Sequence, residues 1–535
     1  MSASEAEYDY IIVGAGSSGC VIARRLLDAK AGKILLLEAG GDDTPMYLKM
    51  PAGVPMAMAN HTWGYMSEPQ PETLNRPLTL AQGKVVGGGS SVNAMIYMRG
   101  QKEDYDAWAD EHGCDGWGYA DLLPYFIRSE ANESLASEYH GNHGPLPVSE
   151  NRYRHPLSMA FIRAAQQCGL PYSNDFNGAQ QQGAGYYQTT TKNGERASAS
   201  RAYLKPVRHS PNLTLLTKAF AQRLMIENGR AAGVQYQYDG QIHTARARKE
   251  IIVTSGALAS AKLLLLSGIG PSEELQKHGI SVQQELPVGR NLSDHLHLSI
   301  NAVTPEPISM YGQDTGFSKL CNGMQWLGFR SGVVSSNILE AAAFVDTEGS
   351  GRPDIQVMFL PLLDLWDDPD GLGVGRTHGL TLKTCHLRPK SLGKVSLRSA
   401  NPEDLPLIHA NYLQHPDDVA AHLRGVRFAL QLLQAPALKE LIGEIYSPSA
   451  DLRADDAALE TFVRKGVKTT YHPLGTCKMG KHPADSVVGT DLRVHGIDGL
   501  RVADSSVFPT IVSGNTNAPV IAVAEKAADH ILGKR

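Results

Sequence analysis

Tyr8-Asp-Tyr-Ile-Ile-Val-Gly-Ala-Gly-Ser-Ser-Gly19 is the stretch on which the fold turns. Residues 8–13 are short, apolar and β-branched, the pattern of a parallel strand buried on both faces. Gly14, Gly16 and Gly19 follow in GxGxxG spacing. Gly14 admits the backbone angles of a tight turn. Gly16 leaves room for a pyrophosphate against the backbone, and Gly19 lets a helix lie close on the strand. Cys20–Leu27 has helical apolar spacing, and Lys33-Ile-Leu-Leu-Leu-Glu38 reads as a second strand ending in an acid. Together they form a βαβ unit. Its helix start, at Ser17 and Ser18, offers free N–H groups and a partial positive charge to phosphates. Glu38, about 20 residues past the glycines, is placed to accept from a ribose diol. The unit predicts dinucleotide binding. The fingerprint alone leaves FAD and NAD both open, and its place at the start of a long chain leans toward FAD.

Two further strand–turn–helix units lie far along the chain. Glu250–Thr254 reads as a buried strand, Ser255-Gly256-Ala257 as a break, and Leu258–Leu266 as a helix. Leu500-Arg-Val-Ala-Asp504 is followed by a loop through Pro509 and a helix over Val520–Leu532. The simplest topology is one nucleotide-binding domain with a sheet assembled from distant segments. Residues 300–460 differ. Ile355-Gln-Val-Met-Phe359 and Lys394-Val-Ser-Leu-Arg398 alternate, which predicts antiparallel strands with one solvated face. Pro416 and Asp417 open a long helix to Leu433. The fold class is α/β, α+β overall.

Composition narrows the partners. A chain of 535 residues is too long for one core. With 50 basic and 55 acidic residues the formal charge is −5, which gives no footing for nucleic acid. The longest apolar run, Lys262–Ile269, falls far short of the ~18–20 residues of a membrane span. Met1–Asp9 is polar and acidic, unlike a secretory signal. Six scattered cysteines without a CxxC pair suggest reduced thiols and a cytoplasmic protein, with peripheral membrane contact left open. The sequons at Asn132, Asn212 and Asn291 then carry no sugar. Cys477 with His472 or His482 offers too few ligands for a metal, so none is expected.

Longer motifs carry a resemblance. These are Gly83-Lys-Val-Val-Gly-Gly-Gly-Ser-Ser-Val-Asn-Ala-Met-Ile-Tyr-Met-Arg-Gly100, Gly256–Gly270, Pro287-Val-Gly-Arg-Asn-Leu-Ser-Asp-His295, Tyr471-His-Pro-Leu-Gly-Thr476, Val502-Ala-Asp-Ser-Ser506 and Ser513-Gly-Asn-Thr-Asn-Ala-Pro519. In this order, from Tyr8 to Ile531, the chain resembles the glucose–methanol–choline (GMC) oxidoreductases, and bacterial alcohol and choline dehydrogenases more than fungal oxidases. The resemblance implies FAD, alcohol oxidation and two domains. A Rossmann-like FAD domain takes 1–155, 195–300 and 465–535. A substrate domain with an antiparallel sheet flanked by helices takes 156–194 and 301–464. Two positions depart. Val92 stands where some members attach FAD through histidine, so non-covalent FAD is expected. Ala261 stands where proline or serine is usual, which should touch a helix start.

The resemblance also assigns residues. His472 becomes the general base, a task suited to an imidazole of ordinary pKa ~6.5. Asn515 orients the hydroxyl or donates to its oxygen, but is no base. FAD is assigned to Gly14, Gly16, Ser17, Ser18 and Gly19, then Glu38 and Ala39. The second segment adds Gly83, Val85, Gly88, Gly89, Ser90, Asn93 and Ala94. Ala221, Ser255, Gly256, Ala503, Asp504, Asn515, Thr516 and Asn517 complete the set. Thr516-Asn517-Ala518-Pro519 should open the last helix, with Pro519 in its first turn. His295 reads as structural, and His61 is the other runner-up base. Electrons leave to a quinone, another acceptor or oxygen. A redox-silent lyase is the distant alternative. Choline would need an aromatic or acidic cage, for which Trp326, Phe329, Glu340, Phe344, Phe359 and Trp366 are candidates.

Overall fold

The computed structural model describes residues 6–364 and 377–534. Two sheets of seven strands each carry the molecule. In the first, Leu213–Thr217, Ile34–Glu38, Ala6–Val13 and Gln241–Val253 run parallel in that order. The last of these is long enough to change partners along its other edge. Residues 241–246 pair antiparallel with Arg230–Tyr238, and 251–253 pair parallel with Leu500–Val502. Phe220–Glu227 closes that side. All five residues of Ile34–Glu38 are buried, as a doubly covered parallel strand requires. Segments more than 200 residues apart thus meet in register at the carboxyl ends of parallel strands, where open α/β sheets place their ligands.

Two helices lie together on this sheet, Ser17–Asp28 and Asn517–Ile531. Ser17 Oγ donates to Asn517 Oδ1 at 2.8 Å, which locks their two N-termini side by side. Arg25 joins Asp529 at 2.7 Å and also Glu525 further along.

The second sheet is antiparallel throughout: Ile445–Ser447, Leu296–Val303, Gly379–His386, Ile355–Leu360, Ala341–Val345 and Gly183–Tyr186, with Lys468–Thr469 also on Leu296–Val303. The expected division at 300 therefore falls inside a strand, and Lys468–Thr469, beyond 464, joins this sheet. Ile355–Leu360 is buried at every position rather than half solvated. One face packs under helix Pro416–Gln434, where Gly425 lies against Thr384 and Ile355. The other face, with Met358 and Leu360, walls an internal cavity. Its alternation is real, but the face that carries Gln356 turns inward together with Met358 and Leu360. Lys394–Ser396 pairs instead with Leu407–His409 in a separate ribbon. Ala261 lies within helix Ala257–Leu266, past its first turn, not at its start. Among the described residues no helix is long and apolar enough to cross a membrane.

Candidate active site

The two sheets enclose a cavity of about 600 Å³, within the range of ligand sites. One end is built from the glycine turn. Gly14 has φ +105°, and a Cβ there would lie 2.6 Å from the Thr254 carbonyl oxygen. A Cβ on Gly19 would collide with the Gly14 carbonyl. Gly19 thus has the packing role read from the sequence and does not line the cavity. Three helices open onto this space, at Ser17, Ala257 and Asn517, and among the described residues none has a side-chain cap. Uncapped helix starts leave N–H donors for an anion. Ser18 Oγ is buried there without a partner among the described residues. These features fit a pyrophosphate-bearing dinucleotide.

Glu38 lines the same end, beside Ala39. Its carboxylate accepts from Ala15 N at 3.0 Å and Gly40 N at 2.8 Å. Burial raises its pKa to about 7, against those two hydrogen bonds. Each oxygen keeps a lone pair for a ribose hydroxyl. Asp504 is more committed. Its oxygens accept from Gly256 N, Ser260 Oγ and Ser506 N at 2.8, 2.6 and 2.8 Å. It lines the cavity, yet its first task is to hold the start of helix Ala257–Leu266.

The loop over the cavity carries Gly83, Gly88, Gly89, Val92, Asn93 and Ala94 in its lining, with Ala221, Ser255 and Thr516 from other segments. A Cβ on Gly88, at φ +53°, would come 2.8 Å from Gly16 Cα, so the two glycine segments touch. Val85, Ser90 and Ala503 are buried behind the wall. The Ser90 hydroxyl donates to Gly87 O at 2.6 Å and accepts from Ala199 N at 2.9 Å. Ala503 N bonds Val253 O at 2.9 Å. Arg196, which motif reading missed, is the strut of this loop: fully buried, it donates to the Asn93 carbonyl at 2.6 Å, Asn93 Oδ1 at 3.0 Å and Ser90 O at 3.2 Å.

His472 and Asn515 meet at the cavity wall, 3.4 Å apart from Nε2 to Nδ2. Their protons can be traced. His295 Nε2 lies 2.9 Å from the Leu387 carbonyl, which only accepts, so Nε2 holds the hydrogen. Burial lowers the His295 pKa to about 4, which keeps the ring neutral and Nδ1 bare. His472 Nδ1 lies 3.0 Å from that bare nitrogen and 3.0 Å from Thr470 Oγ1, whose hydroxyl donates to the His295 carbonyl at 3.2 Å, so Nδ1 is placed to donate. Burial, and then His295, holds the His472 pKa well below the usual imidazole value. A neutral His472 that donates through Nδ1 presents Nε2 as a bare acceptor. Gln356 Nε2 reaches Tyr187 Oη at 2.6 Å and Asn515 Oδ1 at 3.5 Å, turning the asparagine N–H₂ toward that acceptor. Asp294 fixes the segment by accepting from His472 N at 2.8 Å and Tyr412 Oη at 3.0 Å. His295 is therefore the residue that positions His472 within the cluster. The Asp294-His295 pair, immediately before strand Leu296–Val303, was the available signal. His61 bonds Tyr47 Oη at 2.7 Å, outside the cavity lining.

Among the described residues, none of the candidate cage residues lines the cavity. Trp326 is buried on the Gly194 carbonyl, Phe344 packs on Phe176, and Phe359 stacks on Phe161. Phe329 is 78% exposed. Glu340 is buried among His155 N, Ser158 Oγ and Ser336 Oγ. Trp366 lies outside the described residues. Trp63, Tyr65 and Phe220 line the cavity instead.

A dinucleotide cradle that shares a cavity with a bare imidazole defines an oxidoreductase. The GMC oxidoreductase family models match residues 8–297 and 389–524, and the chain belongs to that family of flavoprotein oxidoreductases. It is 42% identical over 532 residues to an oxygen-dependent choline dehydrogenase of Sinorhizobium fredii, covering 98% of this chain and 96% of that one. Pyridoxine 4-oxidase from Mesorbium loti superposes with a TM-score of 0.88 at 29% identity, covering 98% and 99% of the two chains. A formate oxidase of Aspergillus oryzae gives 0.92 at 27% identity, covering 99% of both.

Proposed function

We propose that the chain oxidises a primary alcohol to the aldehyde, with non-covalently held FAD and with electrons passed on to a quinone or another acceptor. The observation that carries this is the hydrogen-bond relay from Leu387 through His295 to His472, which leaves Nε2 bare beside the Asn515 amide. FAD, when bound, supplies the acceptor for the hydride. His472 Nε2 takes the hydroxyl proton, and Asn515 Nδ2 donates to the same oxygen and orients it. Ser17, Ala257 and Asn517 offer their uncapped helix starts to the cofactor, with Glu38 at its ribose. Val92 offers the flavin no nucleophile, so acid precipitation should release all of it into the supernatant.

In this reading 1–155, 195–295 and 465–535 serve mainly the cofactor, and 156–194 with 296–464 serve the substrate. The upstream limit moves from 300 to 295 so that strand Leu296–Val303 stays whole. Six free cysteines are the ground for placing the protein in the reducing cytoplasm. Choline oxidation is the second reading, favoured by the 42% identity to a protein of that name.

The test is an anaerobic spectral titration of the yellow protein with alkanols, benzyl alcohol and choline. Bleaching of the flavin band by an alcohol is expected. Prompt recovery in air would assign an oxidase, and a persistently reduced flavin a dehydrogenase. No bleaching by any alcohol would sink the proposal and favour the redox-silent lyase.

A further inference from the structure

Three residues of the cavity lining carry buried polar atoms that have no hydrogen-bond partner among the described residues: Ser18, Asn337 and His297. Ser18 sits at the glycine turn, where the dinucleotide reading already uses it. Asn337 donates through Nδ2 to Ala94 O at 2.9 Å, and so belongs with the cofactor loop. His297 is left over. Both of its ring nitrogens are orphaned, and the residue is only 5% exposed.

Its place follows from strand alternation. His295, His297, Ser299 and Asn301 share one face of the segment that enters strand Leu296–Val303, while Leu296, Leu298, Ile300 and Ala302 fill the core on the other. His295 touches His472 at 3.0 Å. His297 stands two residues on, roughly 7 Å along the strand. Beyond it Ser299 Oγ donates to Asp364 at 2.8 Å, and Asp364 meets Lys383 Nζ at 2.8 Å and Lys468 Nζ at 3.9 Å. The cross-strand neighbours of His297 are Cys385 and Lys468. Polar groups thus run in one row from the reacting pair into the far part of the cavity, among Met358, Leu360 and Leu363.

Burial first, then the cations Lys383 and Lys468, hold the His297 pKa well below the usual value, with Asp364 acting the other way. The ring is therefore neutral, with one N–H donor and one bare acceptor. A buried donor and acceptor left unmade are costly, so the ring calls for a ligand group that can both give and take a hydrogen bond.

Resting on the alcohol oxidation set out above, we propose that His297 is a specificity-determining residue that binds a second hydroxyl of the substrate, a few carbons from the one oxidised, so that the preferred class is diols and other hydroxylated alcohols rather than choline. A trimethylammonium group has neither donor nor acceptor. Placed at His297 it would leave both nitrogens unpaired, and it would bring a third cation beside Lys383 and Lys468. Plain alkanols would leave the ring just as unsatisfied.

The experiment compares kcat/KM for flavin reduction in the holoenzyme with 1,3-propanediol, 1,4-butanediol and 1,5-pentanediol, the 1-alkanols of equal length, and choline. The best diol is expected to exceed its alkanol by about tenfold or more, well above the twofold of having two reactive ends, which is the range a buried hydrogen bond commands. His297→Leu is expected to bring that ratio down to the statistical value, chiefly through a raised diol KM. His297→Gln, which keeps a donor and an acceptor, should restore most of it, and serves if the leucine variant does not fold. A diol preference that His297→Leu leaves unchanged, or choline reducing the flavin better than every diol, would overturn the inference while leaving alcohol oxidation intact. Failure of every alcohol to bleach the flavin would overturn both.

Discussion

His472 works as a base because its neighbours dictate where its protons are. The Leu387 carbonyl fixes His295, His295 fixes His472, and Gln356 fixes Asn515. His472→Ala removes the imidazole in contact with the Asn515 amide and should slow flavin reduction by ~10²–10⁴-fold, the usual share of a positioned acid–base group, with FAD still bound. Stopped-flow reduction under a saturating alcohol measures it, and a rate near wild type would remove His472 from the chemistry. The pH profile tests the same relay. A lowered pKa means that the base form survives as pH falls, so the acid limb of kcat/KM for reduction is expected below pH 6.5. A limb at or above 6.5 would show that the ring is charged more easily than burial and His295 allow.

At the scale of elements, the cofactor end depends on backbone that tolerates no Cβ. Gly14→Ala adds a Cβ 2.6 Å from the Thr254 oxygen at a residue with φ +105°. It should lose most bound FAD and lower Tm by several degrees, since strain of ~1–3 kcal/mol enters at the strand-to-helix turn. The ratio of flavin to protein absorbance reads the first effect. Gly169→Ala is the control: φ is +94°, but nothing lies within 4 Å of the new Cβ, so FAD content should hold. The glycine turn, strand Ile34–Glu38 and the opening of helix Asn517–Ile531 were legible in the sequence because local periodicity and glycine spacing specify them. His297, Gln356 and Arg196 were not. Each depends on a partner more than 100 residues away, or on a void that only two packed sheets create. The alternation of Ile355–Leu360 was read correctly as a period and assigned to the wrong surroundings. A face turned onto a cavity has the same period in sequence as a solvated one.

For the whole molecule, a buried charge cluster ties the end of the cofactor loop to strand Glu130–Asn132 and to the loops around His140 and Asp175. Arg99, just past the segment of Gly83–Met98, meets Glu130 at 2.6 Å. His140 lies 3.0 Å from Glu130 through Nδ1 and 3.0 Å from Asp175 through Nε2. Asn177 accepts from Arg99 N at 2.8 Å, tying the same strip to the substrate-side loop. Two cations then face two carboxylates, and the balance holds only while His140 is protonated. Burial alone would lower the His140 pKa, but Asp175 and Glu130 outweigh it and raise it to about 9. The folded protein therefore keeps a proton that the unfolded chain, with an ordinary imidazole near ~6.5, gives up. The stabilisation is complete below about pH 6.5 and is lost as pH rises through about 9. Thermal melts of the holoenzyme between these limits should show Tm falling with pH. His140→Gln keeps hydrogen-bonding capacity but cannot be charged, so its Tm should be lower at pH 6.5 and the two curves should converge toward pH 9.5. Parallel curves across the window would mean that His140 is neutral in the folded state and that Arg99 alone answers the two carboxylates.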